Sequence, residues 1–112
     1  MREILLNMKN KDFAYKCISI LIAKNRQEDI ERLTEPSFCK TRFDMNFAIL
    51  QEVPLYGVIP EADFMDHRHN RRYYPQPIIA FGKRYILCND WYYKNKSNQR
   101  DTRTDFVNWI LA

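Results

Sequence analysis

The sequence predicts an α+β fold in which an N-terminal helical bundle is followed by a β-hairpin and a short C-terminal helix. Apolar residues recur at helical spacing in the first half of the chain. Two runs rich in β-branched and aromatic residues surround Gly82-Lys83 in the second half. The 112 residues, 46% of them apolar, suffice for one hydrophobic core and not for two. We therefore expect residues 1–112 to form a single compact domain.

The stretch KDFAYKCISILIAKN predicts the first long helix. Phe13, Cys17 and Leu21 recur every four residues, so they form an apolar face toward the core. Asn25 follows this pattern and can end the helix in a left-handed conformation. A second, short helix is expected in RQEDIERL, residues 26–33. The residues before the first helix are compatible with either a strand or a helical turn.

Two further short helices are predicted in the next part of the chain. The first runs from about Glu35 to Phe43, and Asp44 then interrupts the pattern. Asn46 is a candidate N-cap for a second helix that contains FAILQEV. Pro54 is expected to end this helix, because the residue before a proline is biased away from helical conformation.

The hairpin is the clearest local prediction. Glycine at the first loop position favours a two-residue type II′ turn over Gly82-Lys83. The resulting register pairs Phe81 with Arg84 and Ile79 with Ile86. Both faces of the hairpin are then largely apolar near its base, so we expect the base to be buried and the tip to be solvated.

The polar stretch NKSNQRDTRT, residues 95–104, is expected to be a loop that leads into the last helix. This helix begins at about Thr102, which forms a variant of the capping box with Asp105. Phe106 and Trp109 share one face of it. We therefore expect the C-terminal helix to dock on the core through these two aromatic side chains.

The stretch Cys39–Val53 resembles the helix-turn-helix family. That family has apolar residues at five characteristic positions, and all five are apolar here, namely Cys39, Phe43, Met45, Leu50 and Val53. The hairpin Pro77–Tyr92 resembles the wing of winged-helix proteins. The resemblance implies a helical bundle that contains a helix-turn-helix-like pair, together with a wing-like hairpin.

Three features depart from the winged-helix pattern. Lys40 stands where a small residue is usual, and Asp44 stands where glycine is usual. The connection of residues 54–76, which separates the second helix from the hairpin, is longer than the pattern expects. The alternative to a DNA-reading motif is a plain helical hairpin whose apolar residues only fill the core.

The resemblance implies that the helix beginning at Asn46 contacts DNA. Asn and Gln side chains can hydrogen-bond adenine, whereas phosphates are held mainly by Lys and Arg. The phosphate contacts would come from basic residues before this helix, in the long connection and at the hairpin tip. The predicted nucleic-acid contacts are Lys40, Arg42, Asn46, Phe47, Gln51, Arg68, Arg71, Arg72, Lys83, Arg84 and Tyr93.

The distribution of charge favours a polyanionic partner at the C-terminal end of the chain. Residues 67–112 carry nine basic and three acidic side chains, whereas residues 36–66 carry two basic and five acidic ones. A basic segment of this kind attracts nucleic acid. Within it, NDWYYKNK combines aromatic and basic residues, and we expect Trp91 to pack on the C-terminal helix and Tyr93 to be exposed.

The stretch DHRHNRRYY, residues 66–74, holds both histidines. Its arginines and tyrosines suit a nucleic-acid contact, or they belong to a solvated loop whose tyrosines pack on the hairpin. His67 and His69 also allow a metal-dependent nuclease. Zinc ligation by these histidines with Cys39 and Cys88 lacks any standard ligand spacing, so no metal is expected.

Catalytic motifs are not recognisable in the sequence. There is no GxSxG and no P-loop, and two glycines are too few for a glycine-rich phosphate loop. We therefore expect no catalytic residues and no cofactor. The three cysteines are widely spaced, and the sequence shows no signal peptide and no long apolar run. These features predict a cytoplasmic chain with reduced thiols and no membrane contact.

Two hypotheses about function follow from these patterns, and a third is weaker. The first is a small non-enzymatic module that binds duplex DNA, as a bacterial or phage regulator or as part of a DNA-processing system. The second is a protein-interaction or oligomerisation domain that uses the aromatic hairpin and the acidic middle segment, residues 36–66, and forms a homodimer or a larger assembly. The third is the metal-dependent nuclease.

Overall fold

A computed structural model describes residues 1–94 and 99–112, and it has the predicted α+β architecture. A group of N-terminal helices, a small antiparallel sheet and a C-terminal helix share one hydrophobic core. The elements are α1 (Arg2–Leu6), α2 (Asn10–Ala23), α3 (Gln27–Arg32), α4 (Pro36–Phe43), β1 (Leu50–Val53), a 3₁₀ helix (Glu61–Phe64), β2 (Ile78–Ala80), β3 (Lys83–Leu87) and α5 (Arg103–Leu111). The predicted polar loop lies partly outside the described residues, because it includes residues 95–98.

The N-terminal helices follow the apolar pattern of the sequence. The predicted face of α2 is fully buried, with Phe13, Cys17 and Leu21 in the core. Asn25 adopts a left-handed conformation with φ of 57° just after this helix, as predicted. The residues before α2, which the sequence left open between strand and helical turn, form the short helix α1. None of the helices in the described part of the chain is long and apolar enough to cross a bilayer.

The prediction of a second helix in the helix-turn-helix pair is wrong. Residues 46–49 are irregular, and Leu50–Val53 form β1, which pairs antiparallel with β3. Asp44 ends α4 in a left-handed conformation with φ of 59°, which turns the chain toward the sheet. A helix here would leave one edge of β3 without hydrogen-bond partners, although three of its five residues, Tyr85, Ile86 and Leu87, are buried. Pairing with β3 therefore overrides the helical spacing of these apolar residues.

The hairpin is present, but its turn lies one residue earlier than predicted. Phe81 and Gly82 occupy the turn with φ of 53° and 77°, which is typical of type I′. Ile79 consequently pairs with Arg84, and both predicted pairs, Phe81 with Arg84 and Ile79 with Ile86, are wrong. The register differs by two residues, so each side chain keeps its predicted face. Phe81 packs against the core, which offsets the strain of a left-handed aromatic residue.

The C-terminal helix docks on an aromatic cluster, as predicted. The ring of Phe106 lies 4.9 Å from Trp91, 5.2 Å from Phe43 and 6.1 Å from Trp109, measured between centroids. The capping prediction needs correction, because Thr102 makes no side-chain cap hydrogen bond. The carboxylate of Asp101 instead accepts the first N–H groups of α5.

Candidate functional site

Most of the basic residues predicted to bind phosphate are engaged in ion pairs within the chain. Four pairs involve them, namely Lys40 with Asp44, Arg71 with Glu61, Arg72 with Asp66, and Lys83 with Glu52. The hydrogen bond from Arg72 lowers the pKa of Asp66 to about 2, with backbone N–H donors adding to it. These cations are partly neutralised within the chain, which weakens the prediction that they bind phosphate.

Three of the predicted DNA-reading residues line one shallow groove beside the start of β1. Asn46, Phe47 and Gln51 form its wall, and the cavity measures about 490 Å³. Lys40 donates to the Oδ1 atom of Asn46 at 3.3 Å, and the guanidinium of Arg72 lies 4.9 Å from the ring centroid of Phe47. The structure thus brings three of the predicted contacts together in this groove, which we call the Phe47 groove, and places Lys40 and Arg72 beside it.

The Phe47 groove is close to neutral. Glu52 lies in its wall, while Asp44 and Asp66 pair with the two cations that border it. Three of the remaining predicted contacts do not line this groove. Arg42 is exposed on α4, Arg68 is exposed in the long connection, and Tyr93 lines a different cleft.

Arg84 has a structural role that the sequence did not indicate. Its Nε atom donates to the carbonyl oxygen of Pro54 at 2.6 Å, and its Nη2 atom donates to that of Gly57 at 2.9 Å. These bonds hold the loop that follows β1 against the sheet. The predicted phosphate contact at Arg84 is therefore also an internal brace for this loop.

The braced loop presents apolar side chains to solvent. Tyr56 is 84% exposed and Val58 is 97% exposed, and Leu55 is also exposed. Ile79, which is 58% exposed, lies opposite Arg84 in the sheet. We call Leu55, Tyr56 and Val58 the apolar edge patch. Exposed apolar groups that cluster in this way mark interaction surfaces more often than scattered ones do.

Strand β2 has an open outer edge. The strand order is β1-β3-β2, so among the described residues β2 has a strand neighbour on one side only. Ala80 and Lys83 flank the turn and form its hydrogen-bonded pair, so the next pair, Ile79 with Arg84, is not hydrogen-bonded. The backbone N–H and C=O of Ile79 consequently point away from β3, toward the open edge.

The other edge of the sheet is protected. The N–H of Leu50 in β1 donates to the carbonyl oxygen of Leu33 at 3.0 Å, and Glu52 adds a charge to that edge. By contrast, residues 73–82, which include β2, carry no charged side chain. Charges on edge strands are a common protection against pairing with another chain, and β2 lacks that protection.

The histidine-containing connection forms a compact turn. The Oδ1 atom of Asp66 accepts the backbone N–H groups of Arg68 and Asn70 at 2.8 and 3.0 Å. His67 and His69 are exposed on this turn. Within residues 1–94 and 99–112, no three His, Cys, Asp or Glu side chains are grouped as metal ligands would be. The turn therefore offers exposed imidazoles without a ligand cluster.

The three cysteines are buried and not joined in disulfides. Burial raises the pKa of Cys17 to about 12, and it also raises that of Cys39. The Sγ atom of Cys39 donates to the carbonyl oxygen of Leu33 at 3.4 Å. These thiols therefore fill the core in protonated form.

Comparison with known proteins gives no indication of function. The chain matches no protein-family model, no curated protein and no solved structure.

The sequence patterns did not identify the apolar edge patch or the Phe47 groove as surfaces. A usable signal existed for the patch, because LYGV is an apolar run inside a connection bounded by Pro54 and Pro60.

Proposed function

We propose that this chain is a non-enzymatic protein-interaction domain that pairs with a second copy of itself through the open edge of β2. The observation that carries the proposal is an uncharged edge strand whose central residue, Ile79, is exposed and directs its backbone N–H and C=O away from β3. A strand edge of this kind accepts a partner strand through main-chain hydrogen bonds.

A second copy fits this edge because antiparallel pairing of identical strands is self-complementary. A two-fold axis near Ile79 places β2 of one protomer against β2 of its partner. The two three-stranded sheets then become one six-stranded sheet. Neither strand brings a charge to the contact, so association meets no like-charge repulsion there.

The duplex-DNA hypothesis has less support from the geometry. It requires a helix that starts at Asn46 and is surrounded by free cations. Residues 46–53 form a loop and a strand, and Lys40, Arg72 and Lys83 are each paired with a carboxylate. This segment therefore cannot enter the major groove of DNA as a helix.

Sedimentation equilibrium over a range of protein concentrations tests the dimer. We expect the wild-type chain to approach twice its monomer mass, and Ile79→Lys to remain monomeric because it places a charge at the two-fold axis. Ile4→Lys is the matched control, since Ile4 on α1 is a similarly exposed isoleucine (63%) away from the sheet. A monomeric wild type, or an Ile79→Lys variant that still dimerises normally, would contradict the proposal.

A further inference from the structure

A second cleft lies between the start of α2 and the residues that lead into α5. Its volume is about 460 Å³. The side chains that matter for its chemistry are Asn10 on one side and Tyr92, Tyr93 and Arg103 on the other. We call it the tyrosine cleft. It is distinct from the open edge of β2 and from the Phe47 groove, since it shares no lining residue with either.

Arg103 is a buried cation in the wall of the tyrosine cleft. It is only 5% exposed. Its Nη1 atom donates to the carbonyl oxygens of Leu6 and Met8 at 3.2 and 2.7 Å, and its Nη2 atom donates to the Oδ1 atom of Asn10. Its Nε atom has no hydrogen-bond partner in the described part of the chain. All of these acceptors are neutral oxygens.

The charge of Arg103 has no paired carboxylate among residues 1–94 and 99–112. The carboxylate of Asp101 is close enough to favour the charged form of Arg103. Its oxygens, however, accept hydrogen bonds from the backbone N–H groups of Arg103 and Thr104 and from the Thr104 hydroxyl. Burial lowers the pKa of Arg103, although guanidinium groups stay protonated in proteins. A buried charge without a counter-ion is unfavourable, so an anion in the cleft would be attracted to this position.

The start of α2 adds to the positive potential of the cleft. The helix has 14 residues and begins at Asn10, and its N-cap residue Lys9 provides no side-chain cap. The N-terminal end of a helix carries partial positive charge and free N–H groups, which favour anions. Lys9 and Lys11 are exposed on either side of Asn10, and Lys94 is exposed next to Tyr93. Asp12 is the acidic residue in the first turn of α2.

Two tyrosines give the tyrosine cleft an aromatic wall. The guanidinium of Arg100 lies 4.5 Å from the ring centroid of Tyr92, so one face of that ring is covered. Tyr93 is 40% exposed and belongs to the cleft lining. An exposed aromatic ring next to cations suits stacking of a nucleobase.

We propose that the tyrosine cleft binds a phosphorylated nucleoside, with the phosphate between Arg103 and the start of α2 and the base on Tyr93. The ligand is either a free nucleotide or the phosphorylated end of a nucleic-acid strand, since both present the same group. This inference goes beyond the proposed dimer and does not depend on it, because the two surfaces lie on different elements.

Calorimetric titration of the intact chain tests this site with four probes. These are adenosine monophosphate, a short single-stranded oligonucleotide with a 5′-phosphate, the same oligonucleotide without it, and inorganic phosphate alone. We expect the phosphorylated strand to bind at least about tenfold more tightly than the unphosphorylated one, since a charge-assisted hydrogen-bond set contributes at least that factor. Binding of the mononucleotide identifies a free nucleotide, and binding of the phosphorylated strand alone identifies a strand end.

Asn10→Asp is the decisive variant, because it places a carboxylate against Arg103 without removing the buried arginine. We expect it to weaken binding of the phosphorylated probe at least about tenfold, since it supplies the counter-ion internally. Its melting temperature should not fall, because an acidic residue in the first turn of a helix is favourable. Arg103 itself is unsuitable for substitution, since it joins α1 and α2 to α5.

Tyr93→Ala tests the aromatic contact, and Tyr56→Ala is its matched control as an exposed tyrosine outside the cleft. We expect only Tyr93→Ala to weaken binding of the nucleotide. The proposal is overturned if none of the phosphorylated probes binds, if inorganic phosphate binds as tightly as the nucleotide, or if Asn10→Asp binds like the wild type.

Discussion

Arg84 donates from its Nη2 atom to the carbonyl oxygen of Gly57 at 2.9 Å, and this bond joins the central strand of the sheet to the exposed apolar loop. The same side chain binds the carbonyl oxygen of Pro54. An Arg84→Glu change would therefore disturb the loop as well as remove a cation. For this reason the change does not distinguish nucleic-acid binding from protein contact, whereas a change at Ile79 does.

Arg84→Met should loosen the loop of residues 54–58 while leaving the core intact. Loss of hydrogen bonds that are partly exposed is expected to lower the free energy of unfolding by about 1 kcal/mol. Urea denaturation measures this loss, and amide hydrogen exchange at Tyr56 and Val58 locates it. Arg42→Met is the control, since Arg42 is exposed on α4. Equal effects of the two changes would refute the bracing role.

Gly82→Ala should destabilise the hairpin through backbone strain alone. Gly82 has φ of 77°, and a Cβ atom added there would meet no other atom within 4 Å. The expected loss in the free energy of unfolding is about 1–2 kcal/mol, which is the cost of a left-handed conformation for alanine. Gly82→Asn should cost less, because asparagine adopts this conformation more readily. If alanine and asparagine behave alike in chemical denaturation, the type I′ turn is not the cause.

The pair of Asp66 and Arg72 should make stability depend on pH in acid. The pKa of Asp66 is lowered in the folded chain to about 2, against an unfolded value of about 4. A lowered folded pKa means that the stabilisation is complete above about pH 4 and is lost as the pH falls toward 2. Asp66→Asn should therefore flatten the stability profile in this window. NMR titration of the Asp66 carboxyl group checks the assignment, and a midpoint near 4 would disprove it.

The sequence predicted the elements that depend on local pattern and missed those that depend on distant partners. The apolar face of α2 and the docking of Phe106 follow from spacing alone. Residues 50–53 fit helical spacing equally well, and only pairing with β3 makes them a strand. Arg103 and Leu6 are 97 positions apart, so no sequence pattern indicates that this arginine is buried.

Among the predicted site residues, too, local relationships were predicted and long-range ones were not. Asn46, Phe47 and Gln51 do come together, because they are close in sequence and lie on one turn into β1. The charge balance around them was not predictable, since Asp66 and Glu52 reach their cationic partners only after folding. The open edge of β2 could not be identified either, because the strand order in the sheet depends on β1.

The most direct test of the proposed dimer is an isotope-filtered NOE experiment on a mixture of labelled and unlabelled wild-type chains. Contact between two copies of β2 predicts intermolecular NOEs that centre on Ile79 and include the neighbouring Ile78 and Ala80. A dimer whose intermolecular NOEs arise only from other surfaces, or a mixture that gives none at concentrations where the mass has doubled, would contradict the account.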